Sequence, residues 1–282
     1  MIYELIKFNY IEKTSKTIAK LPIVSFCCFE DQIYYSHSNG IGSIIDGKVD
    51  ENWHEELCSV SPPDLTNISS MTCCSPLEHL YVVCDGGSQV GRIDLKMLDF
   101  DFLISKGSSD KFQKKFLPTM TSDTYISSSG TEIVWSIKDC HRCFKMRGDS
   151  AVPLVGNGKS GYSLSKVENS RICSPTGITY MNKTVCFADS GNNCLRGIKG
   201  NFTFNVIDEC KGLGDVHYVN EKLFFLSENI IFMLSSEGDS THFYEVYGSE
   251  NPIRSFYPSD KGCIYILVDN GNKVKKEIDK PS

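Results

Sequence analysis

Short apolar runs, each closed by a polar turn, recur along the whole chain. Residues 32–40, 79–87, 132–140, 184–193, 222–229 and 263–272 each hold a block rich in β-branched and aromatic residues, followed by Ser, Asp, Asn or Gly. With Ser36, Asp85, Ser136, Asp189, Ser227 and Asp269 as anchors, the steps between runs are 49, 51, 53, 38 and 42 residues. A period of roughly 40–50 residues is that of a four-stranded propeller blade. Each run is preceded by an apolar segment (21–29, 68–74, 118–126, 175–181, 215–219, 253–258) and followed by a third (41–46, 91–95, 143–146, 194–198, 230–234, 273–278). Five units add a fourth, at 56–60, 100–104, 151–155, 202–207 and 242–247. Strand and turn alternating in this way describe an antiparallel meander, and no segment of about 12 residues or more keeps a helical period.

The expected fold is therefore all-β: a six-bladed β-propeller with four-stranded blades. Approximate blade bounds are 22–66, 67–117, 118–158, 173–211, 214–250 and 252–280, and one propeller accounts for residues 1–282. The sixth unit lacks a fourth strand, and residues 1–10 read as a strand with no unit of its own. Pairing that N-terminal strand with the last blade, as its outer strand, closes the ring and hides two sheet edges.

Composition is that of a globular protein, with 40% hydrophobic and 23% charged residues in 282. The net charge of −6 argues against nucleic acid as a partner, because each phosphate contact needs a cation. Lys273, Lys275 and Lys276 form one dense basic run, which reads as a solvated edge. No stretch reaches the ~20 apolar residues of a membrane span. The N-terminal residues lack a signal-peptide pattern, which points to the cytoplasm. Thirteen cysteines and three glycosylation sequons, starting at Asn67, Asn182 and Asn201, leave an extracellular location equally open.

Residues 156–198 carry the most specific pattern. Pro175, Gly177 and Ile178 lead into a strand that ends in Ala188, Asp189, Ser190, Gly191, Asn192 and Asn193, followed by Arg196 and Ile198. This stretch resembles an NHL repeat, the blade unit of a propeller family. Fainter traces are Asp85, Gly86 and Gly87 with Arg92 and Ile93, and Asp269, Asn270, Gly271 and Asn272. Physically, Gly191, Asn192 and Asn193 suit a turn that wants positive φ. Asp189 can accept from that turn's amides, and Arg196 can reach an acidic or carbonyl partner. These residues read as architecture rather than as a binding site. The resemblance implies a scaffold, since the family includes protein-binding and RNA-binding domains, extracellular modules and some metal-dependent lyases.

Candidate chemistry is sparse. Cys140-His141-Arg142-Cys143 has no second Cys-x-x-Cys to complete a zinc site and reads as a turn between strands. In Cys27-Cys28 and Cys73-Cys74, neighbours on a strand point to opposite faces, which leaves one of each pair in the core. Cys173, Cys186, Cys194 and Cys210 fall one per expected strand of blade four, where bridges are plausible in an oxidising compartment. Of six histidines only His217 lies on an expected first strand, and the 156–161 loop lacks phosphate-loop spacing. No catalytic, metal or cofactor site is assigned. Candidate recognition loops are 47–66 with Trp53 and His54 exposed, 106–117 with alternating basic and aromatic residues, and 156–172. The leading expectation is a non-catalytic scaffold that binds a protein partner through rim loops. The alternatives are a secreted disulfide-bonded surface module, a metal-dependent lyase or hydrolase with a channel site, and a single-strand RNA-binding domain.

Overall fold

The computed structural model describes residues 2–57, 65, 67–84, 89–104, 123–129, 131–148, 150–181, 184–237, 240–259 and 261–269. The chain starts with β1 (Tyr3–Asn9) and β2 (Thr14–Leu21), which belong to the last blade. Blade one is β3 (Ser25–Phe29), β4 (Gln32–His37), β5 (Gly40–Ile45) and β6 (Lys48–Asp50). Blade two is β7 (Ile68–Cys74), β8 (His79–Cys84), β9 (Gln89–Asp94) and β10 (Asp99–Phe102). Blade three is β11 (Thr124–Ser128), β12 (Ile133–Ile137), β13 (Arg142–Arg147) and β14 (Ser150–Val155). Blade four is β15 (Ile178–Met181), β16 (Thr184–Asp189), β17 (Cys194–Lys199) and β18 (Phe202–Ile207). Blade five is β19 (Leu213–Val219), β20 (Lys222–Ser227), β21 (Ile230–Glu237) and β22 (Ser240–Gly248). Blade six joins β23 (Ile253–Pro258) and β24 (Cys263–Asp269) to β1 and β2 in the order β23-β24-β1-β2. The innermost strands β3, β7, β11, β15, β19 and β23 pack pairwise around an axis, and β23 returns to β3. The fold is a six-bladed β-propeller.

Six apolar clusters fill the six seams between blades. Each second strand feeds two of them. Tyr34 faces the seam between blades one and two while Tyr35 faces that between six and one. Phe224 and Phe225 divide in the same way between the seams on either side of blade five. A strand buried on both faces reads as a continuous apolar run rather than as an alternating one, which is why the second strands dominate the sequence pattern.

The N-terminus closes the ring, in a form that differs from the expectation in one respect. Tyr3–Asn9 is the third strand of blade six, paired with β24 in antiparallel register from Tyr3↔Asp269 to Asn9↔Cys263, and β2 is the outer strand. The segment 273–278, expected to be the third strand, lies outside the described residues, as does the basic run within it. β1 fits this place because Leu5 and Phe8 are buried, at 0% and 8% exposure. Blade one also differs: its outer strand is Lys48–Asp50, and residues 53–56 form a short 3-10 turn, while residues 58–60 of the expected strand 56–60 lie outside the described residues.

Asp31, in the β3–β4 turn, holds the closing seam from outside. Its carboxylate accepts from Lys261 Nζ at 2.6 Å and from the Tyr265 hydroxyl at 3.3 Å, with Lys7 Nζ at 3.6 Å. The bond from Lys261 holds the Asp31 carboxyl below the usual carboxylate range, against a smaller opposing effect of burial. Because the folded-state value is depressed, the stabilisation is present above the unfolded value of about 3.9 and is lost as pH falls through the folded one. Asp31→Asn should therefore lower urea-unfolding stability at pH 7 by less than about 1 kcal/mol, as for an exposed pair. The gap to the unmodified protein should close as pH falls through the folded value, and a gap that stays constant from neutral pH into strong acid would refute this account.

Candidate functional site

Short hydroxyl side chains on the innermost strands tie neighbouring blades together around the axis. Ser25 Oγ accepts from the Met71 amide at 3.2 Å, and Ser70 Oγ from the Ile126 amide at 3.1 Å. Thr179 Oγ1 accepts from the Tyr218 amide at 3.2 Å. Between blades five and six a carboxylate takes this role, with Asp215 Oδ2 accepting from Ser255 Oγ at 2.5 Å. The axial channel inside this ring has two chambers. One, of about 100 Å³, is lined by residues that include Asp123, Asp215, Arg254 and Ser255. The other, of about 270 Å³, is lined by Cys73, Ser128, Tyr180, Tyr257 and neighbours. His217 lines both. Its Nε2 is buried without a hydrogen-bond partner and lies 3.7 Å from Asp215 Oδ2, beyond hydrogen-bond reach. Asp123 is met by Lys138 at 3.2 Å and by Arg254 at 3.6 Å. Among the described residues no three His, Cys, Asp or Glu side chains converge in a way that could hold a metal ion.

A second region is built on the motif of blade four. Asp189 ends β16, and Arg196 lies on the adjacent β17. Both side chains are fully buried, with Arg196 Nη1 donating to Asp189 Oδ2 at 2.9 Å. Arg196 also donates to the carbonyls of Arg171 and Ser163 and to the hydroxyls of Ser170 and Thr203, at 2.7–2.9 Å. Its guanidinium lies over the rings of Tyr162 and Phe187, 5.5 and 5.9 Å from their centroids. Asp189 accepts from the Cys173 amide at 2.6 Å and from Asn192 Nδ2 at 2.8 Å. Burial pushes the Asp189 carboxyl up, and the bonds from Asn192, Cys173 and Arg196 oppose that rise. The pair thus pins residues 160–173 across blade four as a strap. The strap pairs with the outer strand through Lys166↔Phe202 and through the bonds Val167 N to Asn201 O and Thr203 N to Ser165 O.

The other motif residues serve close approach. Gly177 donates to the Gly214 carbonyl at 2.9 Å, and a β-carbon there would run into the backbone of β19. Pro175, two residues before it, is buried. In the β16–β17 turn only Asn193 takes positive φ, at 54°. Gly191 does not; a β-carbon there would strike Cys173, so its role is space rather than turn conformation. Asp189 reaches both the Cys173 amide, in the segment that leads into the blade, and its own turn, through the side-chain amide of Asn192. Shorter residues at equivalent anchors make similar tethers, Ser36 to the Ser25 amide and Ser227 to the Lys211 carbonyl.

Several other sequence candidates fall elsewhere. Trp53 is buried, at 4% exposure, with its ring edge-on to Tyr34 at 4.8 Å, because the 3-10 turn folds it into the seam. His54 bonds the Ile41 carbonyl. The 106–117 loop lies outside the described residues. Cys140 and Cys143 enter different seams, on opposite sides of blade three, so they do not converge on one ion. Cys173 and Cys210 lie outside the strands, and neither they nor Cys186 and Cys194 are bridged. Asn67 and Asn201 are exposed; Asn182 is not among the described residues.

No family model and no curated protein sequence matches the chain. Solved propeller structures do. A putative TolB from Agrobacterium tumefaciens is similar at TM-score 0.63 and 10% identity, covering 95% of this chain and 98% of that one. Virginiamycin B lyase from Staphylococcus aureus is similar at TM-score 0.53 and 14% identity, covering 92% and 86%. An auxiliary nutrient binding protein from Bacteroides thetaiotaomicron gives TM-score 0.57 and 12% identity over 76% of this chain, which spans 59% of that protein's length. At such identities the likeness is one of fold.

Arg196→Ala leaves Asp189 buried and unpaired. It should cost about 3–5 kcal/mol of unfolding free energy, as for a broken buried pair. Trypsin should then cut at Lys159, Lys166 or Arg171 before global unfolding. A strap that stays resistant in the variant would show that other contacts hold it.

Proposed function

We propose that this propeller is a non-catalytic interaction scaffold, with its fourth blade built on the NHL pattern, and that it binds a protein partner through the outer edges of blades four and five. One observation carries the reading. Among the described residues, five of the eleven exposed large hydrophobic side chains lie there: Tyr162, Leu164 and Phe202 on the strap and β18, Phe243 and Tyr244 on β22. The other outer strands carry only Val49 in this class. Exposed aromatics on a fixed backbone lose little entropy on association and make effective anchors.

The surroundings support a protein partner. Tyr162 also borders an open concavity lined by Asn192, Asn193, Asp208, Glu209 and Lys211. An apolar edge beside carboxylates suits a partner with apolar groups flanked by basic ones. A binding role also accords with the nutrient binding protein among the structural neighbours, a likeness of fold alone. The contact surface proposed is the blade edge rather than the 47–66 loop, where Trp53 is buried.

Phe202→Ser with Phe243→Ser should leave the melting temperature nearly unchanged, since both side chains are exposed at 56% and 61%. Binding of partners captured by cross-linking from the native source should weaken about tenfold or more, as for lost aromatic anchors. Arg254→Ala, in the channel, should leave it intact. Equal binding by the double variant and the unmodified protein would exclude this face.

A further inference from the structure

Two cysteines meet across the seam between blades one and two. Cys27 lies on β3 and Cys73 on β7, the innermost strands of adjacent blades, with their sulfurs 3.0 Å apart. Their chain neighbours point away: Cys28 joins the seam between blades six and one, and Cys74 that between two and three. The strands that carry the pair are held in register by the Ser25–Met71 bond. A disulfide needs sulfurs ~2.0 Å apart, so closure asks for a movement of about 1 Å.

Access differs between the two thiols. Cys27 is fully buried, whereas Cys73 is 8% exposed and lines the 270 Å³ chamber of the channel. We infer that Cys27 and Cys73 form a redox pair, which a small hydroperoxide entering the channel converts into a disulfide between blades one and two. The Cys73 sulfur attacks the peroxide, taking one oxygen to become a sulfenic acid, and the peroxide leaves as water or an alcohol. The Cys27 sulfur then attacks the sulfenic sulfur; the S–S bond forms, the S–O bond breaks, and the hydroxyl leaves with the Cys27 proton as water. Two thiols are oxidised by two electrons and one peroxide is reduced by two. Burial beside Cys73 pushes the Cys27 thiol well up, which slows the second step at neutral pH and makes it faster in alkali. The product links strands 46 residues apart in sequence, and so restrains the unfolded chain as well as the seam.

The test is a non-reducing peptide map of the folded, pre-reduced protein after treatment with hydrogen peroxide and alkylation of remaining thiols. The expected result is one linked pair of peptides carrying Cys27 and Cys73, lost again on addition of dithiothreitol. The linked protein should melt several degrees higher than the reduced one. With Cys27→Ser, no link should form and a dimedone adduct should appear on Cys73. With Cys73→Ser, Cys27 should stay reduced, because the peroxide no longer has an accessible sulfur beside it. Free alkylated Cys27 and Cys73, under conditions that oxidise the more exposed Cys173 and Cys210, would overturn the proposal. So would links to Cys28 or Cys74 instead. The map of the unmodified protein decides the matter even where a variant fails to fold.

Discussion

Every blade of this protein has two apolar faces, and that constraint governs the rest. A four-stranded sheet with Tyr34 on one side and Tyr35 on the other cannot stand alone, nor at the end of a row. The way to bury both faces of all six sheets is a closed ring. Closure rests on the seven-residue ladder between β1 and β24, which builds one sheet from both ends of the chain. The hydroxyl tethers between innermost strands, and the Asp31 cluster on the outside, fix a geometry that this ladder makes obligatory.

The fold was legible because the second strands are buried on both faces and so appear as uninterrupted apolar runs about one blade apart. The closure could be read from an imbalance, a last unit one strand short and a first segment with none. What could not be read was which rung the N-terminus takes. That depends on Thr14–Leu21, a polar strand with exposed or half-buried side chains that carries no strong β pattern. The outer strand of blade one was missed for a similar reason: Lys48–Asp50 is three exposed residues long. Outer strands bury least, so their sequences are the least constrained.

The site was legible only in part. Asp189 and Arg196 stood out as a motif, but nothing in their spacing tells that the arginine gathers five acceptors and clamps a strap that is distant in sequence. Trp53 looked like a surface residue because it sits among charged neighbours, yet a short 3-10 turn directs it inward. Cys27 and Cys73 are 46 positions apart on different blades, and only the ring brings them together. Pattern and period reveal what repeats within a blade, whereas contacts across seams follow from the angle at which blades meet.

Building one sheet from two segments so far apart in sequence also sets a timetable for synthesis. β1 is made well before its partner strand, Cys263–Asp269. At about 5–20 residues per second, the nascent chain must wait on the order of tens of seconds. During that time Leu5 and Phe8 have no seam to enter, while blades one to five can assemble from local hairpins. Until β24 emerges, the growing propeller is therefore an open arc with two sticky ends, and its need for chaperone cover is greatest in that interval.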